Sequence, residues 1–126
     1  MHKSMLSGFI IDCRTDDLKS AASFWSAALG MDTRILPGQE GDNYVRLVDP
    51  AERIDVEVQI VDHESRVHLD IEADDVEAEV RRLEKLGAKR VAQIRTWWVM
   101  QAPTGQKFCV VRAHSRDFAK IARDWD

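Results

Sequence analysis

Hydrophobic and ionisable residues alternate most clearly over positions 67–72 of the chain. The hydrophobic set is Val67, Leu69 and Ile71, and the ionisable set is His68, Asp70 and Glu72. Because side chains of a strand point alternately to its two faces, this pattern predicts a strand with one hydrophobic and one polar face. A helical pattern over residues 75–86 follows, with Asp74 expected to cap the helix, Glu77 completing a capping box and Gly87 ending it. We expect this helix to cover the hydrophobic face and leave the polar face for a ligand.

The same order of elements occurs twice along the chain. The first copy reads as a strand at 8–14, a helix from about 17 to 29, and strands at 31–36, 43–49 and 53–61, with a turn at 37–43 and a hairpin through Pro50-Ala51-Glu52. The second reads as a strand at 66–72, the helix at 75–86, and strands at about 89–95, 97–102 and 107–112. Asp-Asp precedes each helix and Leu-Gly closes each. The pattern predicts an α+β fold of two βαβββ modules, which form one curved mixed sheet with helices on its convex side.

The module boundaries follow from this repeat. We expect a single domain over 1–126, with module one at 8–62, module two at 65–113 and a C-terminal helical tail at 115–126.

Composition narrows the function classes. A net charge of −4, with no basic stripe, argues against nucleic acid as a partner. No hydrophobic run approaches the roughly 20 residues of a membrane span, and the N-terminal segment is too short and interrupted for a secretory signal. Cys13 and Cys109 lack metal-ligand spacing and are typical of reduced thiols. We therefore expect a cytoplasmic protein.

Several short motifs in this order resemble those of the vicinal oxygen chelate superfamily, which holds glyoxalase I, bleomycin-resistance proteins and extradiol dioxygenases. The resemblance is closest to its uncharacterised glyoxalase-like branch. The motifs are Ile11-Asp12-Cys13, Ala22-Ser23-Phe24-Trp25 and Leu29-Gly30 in the first module, and Val67-His68-Leu69-Asp70, Leu86-Gly87-Ala88 and the segment 102–110 in the second. The resemblance implies the paired-module fold and a homodimer.

The resemblance also implies where a metal would bind, because the metal enzymes of this superfamily take one ligand from each of four strands. The four matching positions here are Ile10, Glu57, His68 and Cys109. Ile10 cannot coordinate a metal, so the implied metal residues are Glu57 and His68, with Cys109 as a third donor that would favour zinc. The alternative is that His68 hydrogen-bonds Glu57 or Asp70 and that Cys109 packs in the core. We expect no metal cofactor, with zinc or nickel as the alternative.

Two aspartates and a tryptophan complete the candidate site. Asp12 and Asp70 occupy equivalent places in the two modules and could act as general base and acid; alternatively each bonds a backbone N–H or an arginine such as Arg14 or Arg46. Trp98 could support a flat ligand or seal a subunit contact.

The functional prediction is a bleomycin-resistance-type protein that binds a small molecule on the concave face without a complete metal site. The residues predicted to line that site are Ile10, Asp12, Glu57, His68, Asp70, Trp98 and Cys109. Its acidic lining favours a cationic or hydrogen-bond-donating ligand. Two alternatives remain: a metal-dependent lyase or isomerase using Glu57, His68 and Cys109, and a structural dimerisation module without ligand. Whether the protein is an enzyme is left open.

Overall fold

The computed structural model describes residues 1–51 and 54–126 and belongs to the mixed α+β class. Its elements, in chain order, are β1 (His2–Arg14), α1 (Leu18–Leu29), β2 (Asp32–Ile35), α2 (Glu40–Asn43), β3 (Tyr44–Val48), β4 (Asp55–Val61), β5 (Arg66–Ala73), α3 (Val76–Lys85), β6 (Lys89–Ile94), β7 (Trp97–Gln101), β8 (Lys107–Arg112), α4 (Phe118–Ile121) and β9 (Arg123–Trp125). The predicted strand–helix–three-strand order is present in both halves.

The chain separates into two compact units. One unit spans Gly8–Val67, and the other combines Met1–Ser7 with His68–Asp126. We call them the first-module unit and the second-module unit.

In the first-module unit, β4 lies between β1 and β3. It runs parallel to the Gly8–Arg14 part of β1 and antiparallel to β3, and β3 in turn pairs antiparallel with β2. Helix α1 packs on the side of this sheet that carries the hydrophobic residues. The core there consists of Ile11, Leu47, Val56 and Val58, with Trp25 of α1 packed against it.

The second-module unit repeats this pairing. β8 runs parallel to β5 and antiparallel to β7, and β7 pairs antiparallel with β6. Helix α3 covers one face, over a core of Ala73, Val80, Leu83, Met100 and Val110. The two modules therefore share one strand-pairing scheme as well as one order of elements.

The helix boundaries agree with the predicted glycine stops but not with every predicted cap. Gly30 has a left-handed φ of 67° at the end of α1, and Gly87 follows α3 with φ 106°. The side chain of Asp75, rather than Asp74, accepts a hydrogen bond from the backbone N–H of Ala78 at 3.0 Å and caps α3. Asp74 instead accepts from the backbone N–H of Lys3 at 2.8 Å.

Further differences concern the two ends of the chain and the first-module loops. β1 starts six residues before the predicted strand, and the 115–126 tail contains only the one-turn helix α4 before β9, which pairs antiparallel with the start of β1. The predicted tail helix is therefore wrong over its second half. Residues 40–43 of the predicted turn form the short helix α2, and Glu52 of the predicted hairpin lies outside the described residues.

The hydrophobic face of β5 is covered along only part of its length. Ile71 packs against the core beneath α3, but Leu69 remains 44% exposed and Val67 59% exposed. Glu72, on the ionisable face, is fully buried. Helix α3 begins immediately after β5 and covers the C-terminal end of that strand better than its start.

Candidate functional site

The face of the second-module sheet opposite α3 carries the predicted polar residues; we call it the polar face. Ile71 and Val110 pair in register and pack toward α3. Their neighbours Asp70 and Cys109, which also pair in register, must therefore point to the opposite side. His68 lies two residues before Asp70 and shares its face. The parallel pairing of β5 and β8 thus brings together three residues that are far apart in sequence.

His68, Asp70 and Cys109 form a compact cluster on the polar face. One ring nitrogen of His68, one carboxylate oxygen of Asp70 and Sγ of Cys109 all lie within 4.8 Å of one another. Nε2 of His68 is 3.4 Å from Oδ1 of Asp70, and these side chains are 12% and 18% exposed. Cys109 is half-buried with a free thiol. The cluster is thus shielded but still reached by solvent.

One atom of this cluster lacks the partner that its burial calls for. Oδ1 of Asp70 is buried and accepts no hydrogen bond from any described residue, because its contact with His68 does not reach hydrogen-bond geometry. A buried polar atom without a partner costs about 1–3 kcal/mol, so such atoms are rare unless a ligand or ion satisfies them.

Glu72, the next residue on the same face, is satisfied by the protein itself. Its carboxylate accepts the backbone N–H groups of His114 at 3.0 Å and Ser115 at 2.9 Å, and the hydroxyl of Ser115 at 2.5 Å. Burial raises the pKa of Glu72, but these hydrogen bonds outweigh it and hold the pKa below its usual range. Glu72 is therefore an anchor for the segment after β8 rather than a ligand group.

The remaining predicted polar residues belong to the first-module unit, where arginines contact their carboxylates. Ile10 is buried and pairs in register with Glu57. Glu57 lies 3.7 Å from Arg46, and the almost fully buried Asp12 lies 3.6 Å from Arg66. The arginine beside Asp12 is thus neither of the two suggested by the sequence. Two of the predicted acidic residues, Asp12 and Glu57, therefore each have an arginine nearby.

Trp98 requires a correction, because it lies on the face of β7 that packs toward α3. It contacts the core around Met100, and the guanidinium of Arg90 lies 4.9 Å from the centre of its ring. Since adjacent strand residues point to opposite sides, the tryptophan on the polar face is Trp97. Trp98 is therefore a half-buried residue that packs against the core, and it does not line the polar face.

The donor set of the cluster can be compared with what a divalent metal needs. Imidazole nitrogen, thiolate sulfur and carboxylate oxygen are all zinc ligands, with metal–ligand distances of about 2.0–2.3 Å. A tetrahedral ion at those distances separates its ligand atoms by about 3.3–3.7 Å, so small side-chain rotations would bring atoms now within 4.8 Å into range. The residues present therefore fit a zinc ion held by three protein ligands.

Comparison with known proteins identifies the family. A family model described as "Glyoxalase-like domain" matches residues 8–111. The chain belongs to this glyoxalase-like family. No curated protein sequence matched this glyoxalase-like chain significantly.

Solved structures agree with the glyoxalase-like fold. Methylmalonyl-CoA epimerase from Mycobacterium tuberculosis superposes with a TM-score of 0.65 at 16% identity, over 90% of this chain and 91% of the epimerase. A glyoxalase/bleomycin resistance protein/dioxygenase superfamily member from Vibrio splendidus 12B01 gives a TM-score of 0.55 at 18% identity, over 86% of this chain and all of its own length. A hypothetical protein from Bacillus halodurans C-125 gives 0.56 at 12% identity, over 90% and 98% of the two chains. At these identities the likeness concerns the fold alone.

The sequence named every member of the cluster as a candidate but did not group them. As metal ligands it combined His68 and Cys109 with Glu57, which lies in the other unit, and it considered Asp70 as a hydrogen-bond partner of His68 but not as a metal ligand. The signal for Asp70 was its spacing of two residues from His68 on one strand face.

Among the described residues, no helix has the length and hydrophobicity that crossing a bilayer requires.

Proposed function

We propose that this glyoxalase-like protein binds a small molecule on the polar face of the second-module sheet, through a cationic or hydrogen-bond-donating group that contacts Asp70. The observation that carries the proposal is the buried Oδ1 of Asp70, which accepts no hydrogen bond from the described residues. A donor from a ligand would satisfy this atom, and the neighbouring His68 and Cys109 would contact the rest of the ligand.

The charge distribution supports Asp70 as the contact point. The carboxylates of Asp12 and Glu57 already have arginines nearby, and that of Glu72 is saturated by protein donors. Among the described residues, the ionisable side chain beside Asp70 is that of His68, whose Nε2 lies 3.4 Å from Oδ1. Of the two carboxylates that β5 carries on the polar face, Glu72 is saturated by protein donors, and Asp70 keeps an oxygen that accepts no hydrogen bond from the described residues.

Thermal unfolding with simple probes tests the proposal. Benzylammonium should raise the Tm of the wild-type protein at pH 7, whereas benzoate, a ring of similar size with the opposite charge, should not. At ten times Kd the stabilisation is about 1.4 kcal/mol, or roughly 4–6 °C for a domain of this size.

Two aspartate variants show where the probe binds. Asp70→Asn should abolish the Tm shift, while the matched control Asp32→Asn, at an exposed aspartate on β2, should keep it. A wild-type shift that persists in Asp70→Asn, or no shift with benzylammonium at any concentration, would contradict the proposal.

A second candidate is the lyase or isomerase chemistry implied by the family resemblance. It is favoured by the three metal-ligating atoms that lie within 4.8 Å of one another. A bound divalent metal would supply Lewis-acid polarisation of a substrate carbonyl. His68, Asp70 and Cys109 would hold the ion and keep one coordination position open to the polar face.

A further inference from the structure

We infer that His68, Asp70 and Cys109 form a zinc site contained within the second module, with Asp70 in place of Glu57 as the carboxylate ligand. The inference rests on one part of the proposed function, that a small molecule reaches the polar face; a bound zinc ion would take the Asp70 carboxylate, so the small molecule would then contact the open coordination position of the ion instead. It differs from the arrangement implied by family resemblance, in which four strands of both modules each supply one ligand.

The positions of the three donor residues on β5 and β8 are the first argument for the site. His68 and Asp70 are two residues apart on β5, so their side chains lie side by side on the same face. Cys109 pairs in register with Asp70 on the neighbouring parallel strand, which places its Sγ beside both. Two adjacent strands therefore present three donors to one point without a contribution from the first-module unit.

The unsatisfied Oδ1 of Asp70 is the second argument for a bound cation. Oδ1 of Asp70 is buried, makes no hydrogen bond among the described residues and faces the ring of His68 at 3.4 Å. A simple ion pair would be expected to reach hydrogen-bond geometry, because that lowers the cost of burial. A buried carboxylate oxygen that lies 3.4 Å from an imidazole nitrogen and accepts no hydrogen bond from it is arranged as a ligand of a cation shared with that nitrogen would be.

The chemical types of the three donors indicate which metal would bind. A thiolate ligand disfavours magnesium, calcium and manganese, whose preferred ligands are oxygens, and favours zinc. Three protein ligands leave the fourth tetrahedral position open, as in catalytic rather than structural zinc sites. We therefore expect zinc to bind this set more tightly than magnesium or manganese.

Metal titration of the full-length protein, stripped with a chelator, tests the inference. Zinc should bind stoichiometrically by elemental analysis, and cobalt(II) should give the intense sulfur-to-cobalt charge-transfer absorption of a thiolate ligand. His68→Gln, Asp70→Asn and Cys109→Ser should each weaken zinc binding by at least about 100-fold, and Cys109→Ser should remove the charge-transfer band.

Two matched control variants distinguish this site from a zinc site that uses Cys13 or Glu57. Cys13→Ser changes the chain's other cysteine, which packs in the first-module core, and should leave both the affinity and the cobalt spectrum unchanged. Glu57→Gln should likewise leave zinc affinity unchanged. Loss of binding in Glu57→Gln, or full retention in Asp70→Asn, would overturn the inference.

A measurement on the wild-type protein covers the case in which a variant fails to fold. Zinc should slow alkylation of Cys109 by N-ethylmaleimide at least about tenfold without protecting Cys13, as followed by peptide mass spectrometry. Equal alkylation of Cys109 with and without zinc would overturn the inference.

The zinc titration and the benzylammonium measurement together distinguish a failure of the zinc site from a failure of the proposed function. If zinc does not bind but benzylammonium still raises the Tm through Asp70, the zinc site is wrong and the proposed binding face stands. If zinc binds and benzylammonium does not raise the Tm of the metal-free protein, the zinc site stands and the proposed contact of a donor ligand with Asp70 is wrong.

Discussion

Replacing Glu72 tests how strongly one buried carboxylate fastens the segment after β8 to β5, the strand that carries His68 and Asp70. The Glu72 side chain is fully buried and accepts three hydrogen bonds, from the backbone N–H groups of His114 and Ser115 and from the Ser115 hydroxyl. All three donors lie more than 40 residues away in sequence. Any loss at Glu72 should therefore appear in global stability.

The magnitude follows from the number and kind of these bonds. Hydrogen bonds to a charged group contribute about 1.5–3 kcal/mol each and neutral ones about 1 kcal/mol. His114 is partly exposed, so water can replace part of what is lost. We expect Glu72→Ala to lower the free energy of unfolding by about 3–5 kcal/mol and Glu72→Gln, which keeps neutral bonds, by about 1–2 kcal/mol.

The pH dependence has a definite sign. Because the folded-state pKa of Glu72 lies below its ordinary value of 4.5, the carboxylate contributes its full stabilisation above that value. The contribution is lost as the pH falls through the lowered folded-state pKa. The difference in unfolding free energy between wild type and Glu72→Gln should therefore be constant from about pH 5.5 to 8 and shrink below about pH 4.5.

Urea unfolding followed by tryptophan fluorescence and circular dichroism measures these differences. Glu64→Gln, at an exposed glutamate in the loop before β5, is the matched control and should stay within about 0.5 kcal/mol of wild type. The reasoning is refuted if Glu72→Ala is as stable as the control. It is also refuted if the Glu72→Gln difference persists unchanged to pH 3.

Three further substitutions probe other contacts. Gly8→Ala should destabilise the first-module sheet by about 3 kcal/mol in urea unfolding, because an added Cβ would lie 1.8 Å from the carbonyl oxygen of Asp55; wild-type stability would contradict this. Met100→Ala should cost about 2–5 kcal/mol in the same assay, since Met100 is fully buried, and a cost below 1 kcal/mol would contradict its place in the core. Glu79→Gln should cost about 2 kcal/mol at pH 7, because the buried Glu79 carboxylate accepts two bonds from Arg82 at 2.8 Å. Burial raises the pKa of Glu79, but its hydrogen bonds outweigh burial and hold the pKa below its usual value. The stability lost in Glu79→Gln should therefore disappear in acid, where the wild-type carboxylate is protonated. A loss of stability that does not change with pH would contradict this role of Glu79.

Much of the fold was predictable because its signals are local. Alternation marked β4 and β5, three-to-four-residue spacing marked α1 and α3, and Gly30 and Gly87 marked the helix ends. The tail was harder, since β9 has only three residues and becomes a strand through pairing with β1, a partner more than 100 residues away. Short segments take their structure from such partners rather than from their own sequence.

The candidate site was predictable as a set of residues but not as a grouping. Alternation places His68 and Asp70 on one face, but the register of β5 against β8 decides that Cys109 joins them. That register is fixed by packing of Ile71 and Val110 under α3, which a sequence read in order does not display. Trp98 posed a related difficulty. Alternation shows that it and Trp97 point oppositely, but only the core around Met100 decides which one faces α3.

The pairing of β1 with β9 has a consequence for the order of events during synthesis. His2 and Lys3 are synthesised more than 100 residues before their strand partners, Trp125 and Asp124. At a synthesis rate of about 5–20 residues per second, roughly 6–24 seconds pass between the synthesis of His2 and that of its partner Trp125. Throughout that interval the backbone groups that later bond β9 are exposed in the nascent chain, where an extended segment of another chain could pair with them. The start of β1 is therefore where we expect a chaperone to be of most use to this protein.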